Sequence, residues 1–242
     1  MIRLVFALLF TLLAVIFCLP AHFSFQAAIK KNHIDGWTKA WKFVRKFFKG
    51  VIFLSGAKVE VRGLENVPKD KPVLYVANHR SYFDVIILQT ITPGPVGFVA
   101  KKEFKKYPLL NRYMDDIGCL FLDRENPREG LKTISEATDH LKEGLSMALF
   151  PEGQRNHGSE MLPFKAGGYR MAEKSERAVV VTAMTGLDDI FENNKPLALR
   201  KRHVIIEFAK PVYPHELEKA ERKEFYDSIP SKIVDMQKSH QL

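Results

Sequence analysis

Cysteine is nearly absent from this sequence: Cys18 and Cys119 are the two present in 242 residues, and no C-x-x-C pair occurs. Two thiols so far apart give neither a disulfide framework nor a four-ligand zinc site. Each reads as a small buried hydrophobe in a reducing compartment. The G-x-S-x-G elbow, the P-loop, G-x-G-x-x-G and H-E-x-x-H are also missing. With them go the usual signatures of a serine hydrolase, a nucleotide-phosphate cradle, a dinucleotide fold and a zinc protease. There is no internal repeat and no proline- or serine-rich tract, so order is expected up to the last few residues. Acidic residues are scarce where basic ones are dense. Residues 1–50 hold eight Lys/Arg against Asp35 alone, a net of +7, whereas 51–242 carry only +2 of the overall +9. The basic excess therefore belongs to the N-terminal segment, and nucleic acid is not the expected partner.

What that segment does have is an uncharged run from Leu4 to Ala21. A bilayer-spanning helix needs about 20 apolar residues, so this run either spans or enters one leaflet and returns. No A-x-A cleavage site follows it, and a retained anchor is expected. In residues 36–56, Trp37, Ala40, Trp41, Val44, Phe47, Phe48 and Val51 share one helical face. Lys39, Lys42, Arg45, Lys46 and Lys49 share the other. One-sign charge opposite tryptophans predicts a helix lying in the headgroup region of an anionic bilayer, tryptophans inward; a core-facing helix is the alternative. The basic flank places the remainder on the cytoplasmic side.

Beyond residue 57, short apolar runs alternate with helical patterns. Strands are expected at Val73–Ala77, Gly97–Ala100, Ile117–Asp123, Ser146–Phe150, Ala178–Met184 and His203–Phe208. Helices are expected from about Tyr82 to Ile91, through Tyr113, and from an Asn126 cap with Pro127 and Glu129 behind it. Leu131, Ile134 and Leu141 supply that last helix's buried stripe, and Gly144 closes it. A charged helical region ends the chain. Such short strand–helix–strand connections imply parallel pairing. The expected fold is a three-layer α/β domain, a mixed sheet flanked by helices, preceded by an N-terminal membrane-associated two-helix segment. The domains would be 1–56 and 57–242.

Three polar clusters follow strands in this reading: NHRSYFD at 78–84, Arg124 closing GCLFLDR at 118–124, and FPEGQR at 150–155. Ligands in such sheets bind beyond the strands' carboxyl ends. Of the eight histidines only His79 has an acidic residue five positions on, Asp84. Ser81 and Asp84 also match a capping box, which would turn the Asp84 carboxylate back toward the His79 loop. Asp84 would then orient one ring nitrogen and leave the other as a base, with the helix dipole opposing imidazolium. As a cap, Ser81 is committed to backbone. A base without a protein nucleophile suggests activation of a substrate hydroxyl. Gly153 would allow close backbone approach to a ligand. Arg124 and Arg155, with Lys101 and Lys165 in the same field, suit a phosphate monoester. A metal-dependent phosphoesterase using His79, Asp84, Asp115 and Asp116 is a rival reading, as is a membrane binder without catalysis.

Together these stretches resemble the lysophosphatidate acyltransferase family, the 1-acylglycerol-3-phosphate O-acyltransferases of the glycerolipid acyltransferase superfamily. NHRSYFD is similar to its first motif. GCLFLDR is similar to the second, with Gly118, Phe121 and Arg124 in place, and FPEGQR to the third, with Glu152, Gly153 and Arg155; LPFKAG from Leu162 adds to the likeness. The resemblance covers about residues 1–210. It implies direct acyl transfer, with His79 deprotonating the glycerol hydroxyl of lysophosphatidate, which attacks the thioester of acyl-CoA or acyl-carrier protein. Arg124 and Arg155 would hold the acceptor, with Glu152 shaping the loop and touching glycerol. Gly118, Phe121, Gly153, Lys101 and Lys165 complete the expected acceptor site. No metal and no cofactor beyond the thioester co-substrate is implied. Gln154 stands where threonine or serine is commoner, and AVVVTAMTG at 178–186 lacks the proline of a fourth motif. Another lysophospholipid or lipid-linked hydroxyl is the alternative acceptor.

Overall fold

The computed structural model describes residues 2–17, 19–158 and 160–240. Cys18 lies outside them. Seven strands form one sheet: β1 (Lys58–Arg62), β2 (Leu74–Ala77), β3 (Val96–Lys101), β4 (Leu120–Leu122), β5 (Ser146–Leu149), β6 (Val179–Thr185) and β7 (His203–Phe208). Their order is β1-β7-β6-β2-β5-β3-β4. Every neighbouring pair is parallel except β6 with β7. The sheet is thus mixed because β1 and β7 run against the rest, while β2 to β6 point their carboxyl ends at one rim.

Side-chain alternation along β2 divides the core. Tyr75 and Ala77 pack with one cluster, Leu74 and Val76 with the other. All four are buried, as a strand covered on both faces requires. The first face carries α3 (His33–Ser55) and α4 (Tyr82–Ile91); the second carries α6 (Pro127–Lys142), α7 (Arg170–Ser175) and α8 (Lys219–Lys238). Three layers result.

Asn126 caps α6 as read, accepting from the N–H groups of Arg128 and Glu129. Leu131 is not in its buried stripe, being 65% exposed. Thr133, Ala137 and Leu141, spaced by four, form the stripe instead, and Leu131 sits about 200° around the helix from Thr133. The strand expected at 117–123 is shorter, because Gly118 takes φ +72° in the turn that enters it. The helical stretch before it divides into a 3-10 turn at Lys102–Lys106 and α5 (Pro108–Asp116).

The N-terminal reading needs two corrections. There are three helices, α1 (Ile2–Phe17), α2 (Leu19–Lys31) and α3, not two. The tryptophan face of α3 is turned into the protein, where Trp37 is 4% and Trp41 5% exposed. Trp41 Nε1 and Arg45 Nε donate to the carbonyls of Gln89 and Thr90 at the end of α4. The core-facing alternative thus describes α3: its apolar face has protein to cover, and its lysines remain exposed. No single helix among the described residues is long and apolar enough to cross a membrane; α1 and α2 form one bent pair, at 56°. Most of α1's large apolar side chains are exposed, among them Ile2, Val5, Phe6 and Leu8.

Candidate active site

The chain leaves β2 through Asn78, whose side-chain amide bonds both the N–H and the C=O of Met184 on β6. That double contact fixes where His79 begins. Ser81 caps α4, its Oγ accepting from Phe83 N–H. Asp84 completes a capping box and does more. Its Oδ2 faces His79 Nδ1 at 2.8 Å, and also accepts from Arg80 N–H at 2.7 Å and Ser81 N–H at 2.9 Å. The two sequence readings of Asp84, helix cap and histidine partner, are therefore one arrangement. Asp84 is buried and His79 is 18% exposed. A carboxylate only accepts, so the Nδ1 proton lies toward Asp84 and the lone pair is on Nε2. Phe150 stacks on the imidazole at 4.2 Å and 17°, which leaves the ring little room to turn away.

FPEGQR follows β5 as a tight turn, with Gly153 N–H donating to the Phe150 carbonyl and Gly153 at φ +78°. A side chain is disfavoured at that φ. The Glu152 carboxylate accepts from the backbone N–H of His79 at 2.7 Å and of Leu162 at 3.3 Å, and the residue is buried. Both oxygens thus tie segments together, so Glu152 shapes the loop but is not turned toward an acceptor. Asn156 N–H donates to the His79 carbonyl, closing the same loop pair from the other side.

Arg124, at the end of β4, reaches this turn. Lys165 Nζ lies 3.5 Å, and Arg124 Nη1 3.6 Å, from the point where a β-carbon on Gly153 would sit. Neither cation has an ion-pair or hydrogen-bond partner for its side chain among the described residues. Partial burial pulls the Arg124 guanidinium below its ordinary pKa, with Glu103 opposing. Two cations free of salt bridges, beside a glycine in the left-handed region, make a place for an anion. Arg155 differs. Its guanidinium lies 3.7 Å over the Tyr82 ring, donates to Tyr82 Oη, and pairs with Glu192 at 3.4 Å.

Other expected residues are placed apart. Gly118 is at the opposite, amino-terminal end of β4, where an added β-carbon would meet Leu145 at 2.3 Å and Trp37 at 3.3 Å. It is a packing glycine beneath the sheet, a correction to its assignment to the acceptor site. Phe121 is half-buried in a cleft of about 590 Å³ with Lys102, Lys105 and Asp123, under the Lys105 ammonium. Lys101 is exposed at the end of β3. Asp116 bonds His22 and Gln26 of α2, at 2.8 and 2.7 Å, so the Asp115–Asp116 pair belongs to the packing of α5 and not to the His79 cluster. Burial holds both of these carboxyls above their ordinary range. Burial likewise pushes the Cys119 thiol up to about 12.

Glu192 was missed by the motifs. It accepts from Ser81 Oγ and Tyr82 N–H as well as from Arg155, placing a carboxylate on the amino end of α4. It lies 111 positions from Ser81 in sequence, and no spacing rule announces it. Tyr82 looked like a helix residue, but it also carries Arg155.

The acyltransferase family model matches residues 58–185. A 1-acyl-sn-glycerol-3-phosphate acyltransferase of Saccharomyces cerevisiae is 30% identical over 210 residues, covering 86% of this chain and 67% of its own. The alpha form of that enzyme from Homo sapiens is 30% identical over 151 residues, 62% of this chain and 53% of its own. The chain thus spans about two thirds of the yeast relative and about half of the human one. The crystal structure of the 1-acyl-sn-glycerophosphate (LPA) acyltransferase PlsC from Thermotoga maritima superposes with a TM-score of 0.75 over 98% of both chains, at 22% identity. That likeness supports the fold.

Proposed function

The chain belongs to the acyltransferase family, and we propose that it moves a fatty acyl group from an acyl thioester to the free glycerol hydroxyl of 1-acylglycerol-3-phosphate, yielding phosphatidate. The observation that carries the proposal is the His79–Asp84 pair at 2.8 Å, on the same rim as two cations held in no salt bridge among the described residues. A lysolipid with a phosphate monoester offers what both halves need, a hydroxyl to deprotonate and an anion to hold.

In the proposed reaction the acceptor O–H gives its proton to His79 Nε2 as the oxygen attacks the thioester carbon. Asp84 stabilises the imidazolium that forms. The tetrahedral adduct collapses with cleavage of the C–S bond, and the imidazolium returns the proton to the departing thiolate. No acyl-enzyme forms, because Ser81 Oγ is engaged by Phe83 N–H and Glu192. General-base help is worth about 10²–10⁴-fold. Holding both substrates in reacting geometry contributes about 7–11 kcal/mol, so positioning dominates. Arg124 and Lys165 supply it for the acceptor phosphate. Glu152 supplies it indirectly, by fixing the His79 loop. The donor is acyl-CoA or acyl-carrier protein, used as co-substrate without a further cofactor. The apolar α1 and basic α3 would hold the domain at a bilayer, on its cytoplasmic face, where acceptor and product reside.

Purified protein supplied with acyl-CoA and a panel of lysolipids tests this. Phosphatidate should form fastest from the phosphate-monoester acceptor, and Arg124→Lys should raise KM for that acceptor more than for the donor. Preference for a lysolipid lacking the monoester would defeat the assignment.

A further inference from the structure

The start of α5 does something a soluble domain has little reason to do. Residues 105–110, KKYPLL, are six exposed positions in a row. Among them Tyr107 is 60%, Leu109 37% and Leu110 45% exposed. The helix buries its other end, where Asp116 and Ile117 are covered, so its apolar residues at the first turn are spent on solvent. Along the segment itself the charge is mainly basic: residues 101–113 hold five Lys/Arg and Glu103 as the lone acid, while Asp123 and Glu125, carboxylates from elsewhere, are paired with Lys102. The segment leaves directly from the carboxyl end of β3, hence from the rim that carries His79. Its far end is bonded to His22 and Gln26 of α2, in the bent helix pair with the most exposed apolar surface.

We infer that this tip is a second membrane-contact element, in which Tyr107, Leu109 and Leu110 enter the boundary between headgroups and acyl chains of an anionic bilayer while Lys105, Lys106 and Arg112 lie against lipid phosphates. An aromatic and two leucines flanked by lysines have the composition of an interfacial anchor. An acidic protein partner would satisfy the lysines but set the apolar trio against a polar surface. With both α1–α2 and the tip on the lipid, the rim faces the bilayer, and an acceptor reaches His79 without leaving it. This last consequence rests on the lipid-acceptor reading; the contact itself does not.

A nitroxide on Leu110→Cys, in a chain with Cys18→Ser, tests the contact by collision with oxygen and with a water-soluble nickel chelate. The bound vesicles are of phosphatidylcholine and phosphatidylglycerol. The comparison is a label at Leu131→Cys, exposed on α6. Accessibility should shift from nickel to oxygen at 110 and stay aqueous at 131. Equal aqueous accessibility at both positions overturns the inference, as does protection of 110 by acyl-carrier protein but not by vesicles. In the kinetic arm, Lys105→Gln/Lys106→Gln should raise the vesicle concentration at half-maximal rate by roughly ten-fold or more. The rate with a monomeric short-chain acceptor should be unchanged; an equal loss on both would refute the lipid role. Failure of the parent protein to acylate the short-chain acceptor would count against the proposed function and leave the depth result standing.

Discussion

Replacing Asp84 separates its two duties. In Asp84→Asn the amide must choose which end takes the place of Oδ2. Two backbone N–H groups, from Arg80 and Ser81, point at that site from 2.7 and 2.9 Å, so only the carbonyl oxygen fits there. His79 Nδ1 can then still donate to it, and the tautomer is kept. What disappears is the negative charge that supports imidazolium. A charge-assisted hydrogen bond is about twice as strong as a neutral one, and contributes about 1.5–3 kcal/mol against about 1 for a neutral bond. The deficit of about 0.5–2 kcal/mol corresponds to a fall of roughly 2–30-fold in kcat. The new NH2 takes the place of Oδ1, a buried atom with no hydrogen-bond partner among the described residues, so some stability is lost as well. Asp84→Ala removes the oxygen altogether, frees the ring, and orphans two donors. With nothing to fix the tautomer, the ring can present the wrong nitrogen, a fault that costs about 10⁴-fold in triads, and each orphaned buried donor costs about 1–3 kcal/mol of stability. Single-turnover acyl transfer to a saturating lysolipid, with urea unfolding of the same samples, reads both effects. If asparagine and alanine variants were equally slow while equally folded, Oδ2 would not be what orients His79, and the reasoning would fail.

Two further outcomes follow from the same geometry. Gly153→Ala puts a methyl 3.5 Å from Lys165 Nζ and 3.6 Å from Arg124 Nη1, at a left-handed φ that costs a non-glycine residue about 1–2 kcal/mol. Acceptor KM should rise at least several-fold with donor KM little changed; equal shifts would place the anion elsewhere. Burial, the largest influence on Asp116, raises its pKa, partly offset by Gln26 and His22. A carboxyl with a raised folded pKa makes its relative contribution below the unfolded value, and loses it as pH rises through the folded one. The urea midpoint of the wild-type chain should therefore fall relative to Asp116→Asn as pH climbs from about 4, the unfolded value. A flat difference would mean the His22 and Gln26 bonds cancel the burial.

Much of the fold was legible because its signals are local. Valine-rich runs such as VVVTAM, and the Asn126–Pro127 start, name their own structure over a few residues. The contact between His79 and Asp84 was legible for the same reason: the two are five apart, and the capping box that turns the carboxylate is written between them. The failures are long-range. A helix with tryptophans on one face and lysines on the other looks alike whether the tryptophans meet lipid or protein, and only the presence of Gln89 and Thr90 across from Trp41 and Arg45 decides it. Gly118 belongs to a recognised motif, but its reasons for being glycine are a left-handed φ and the Leu145 side chain, twenty-seven positions later, with Trp37 behind it. Glu192 reaches Ser81 from a loop whose sequence carries no mark of it.

These distant contacts have a common point of application in α4. Its amino end carries the machinery: the Ser81 cap, the Asp84 carboxylate, and Glu192 against Tyr82 N–H. Its carboxyl end is held by α3, where Arg45 brings a positive charge and Trp41 a donor to the last carbonyls, complementing the helix dipole there. In turn α3 packs on α1 and α2, through Phe47 against Phe10 and Phe43 against Phe25. The helix that aims the histidine is thus clamped at its far end by the segment expected at the membrane. A hinge between anchor and catalytic domain would have to break the Trp41 and Arg45 bonds and expose both buried tryptophans. The N-terminal helices and the His79–Asp84 pair are therefore joined through packed side chains, and under the proposed function the approach of His79 to a lipid hydroxyl would be set by how those helices sit in a bilayer, not by a loose tether.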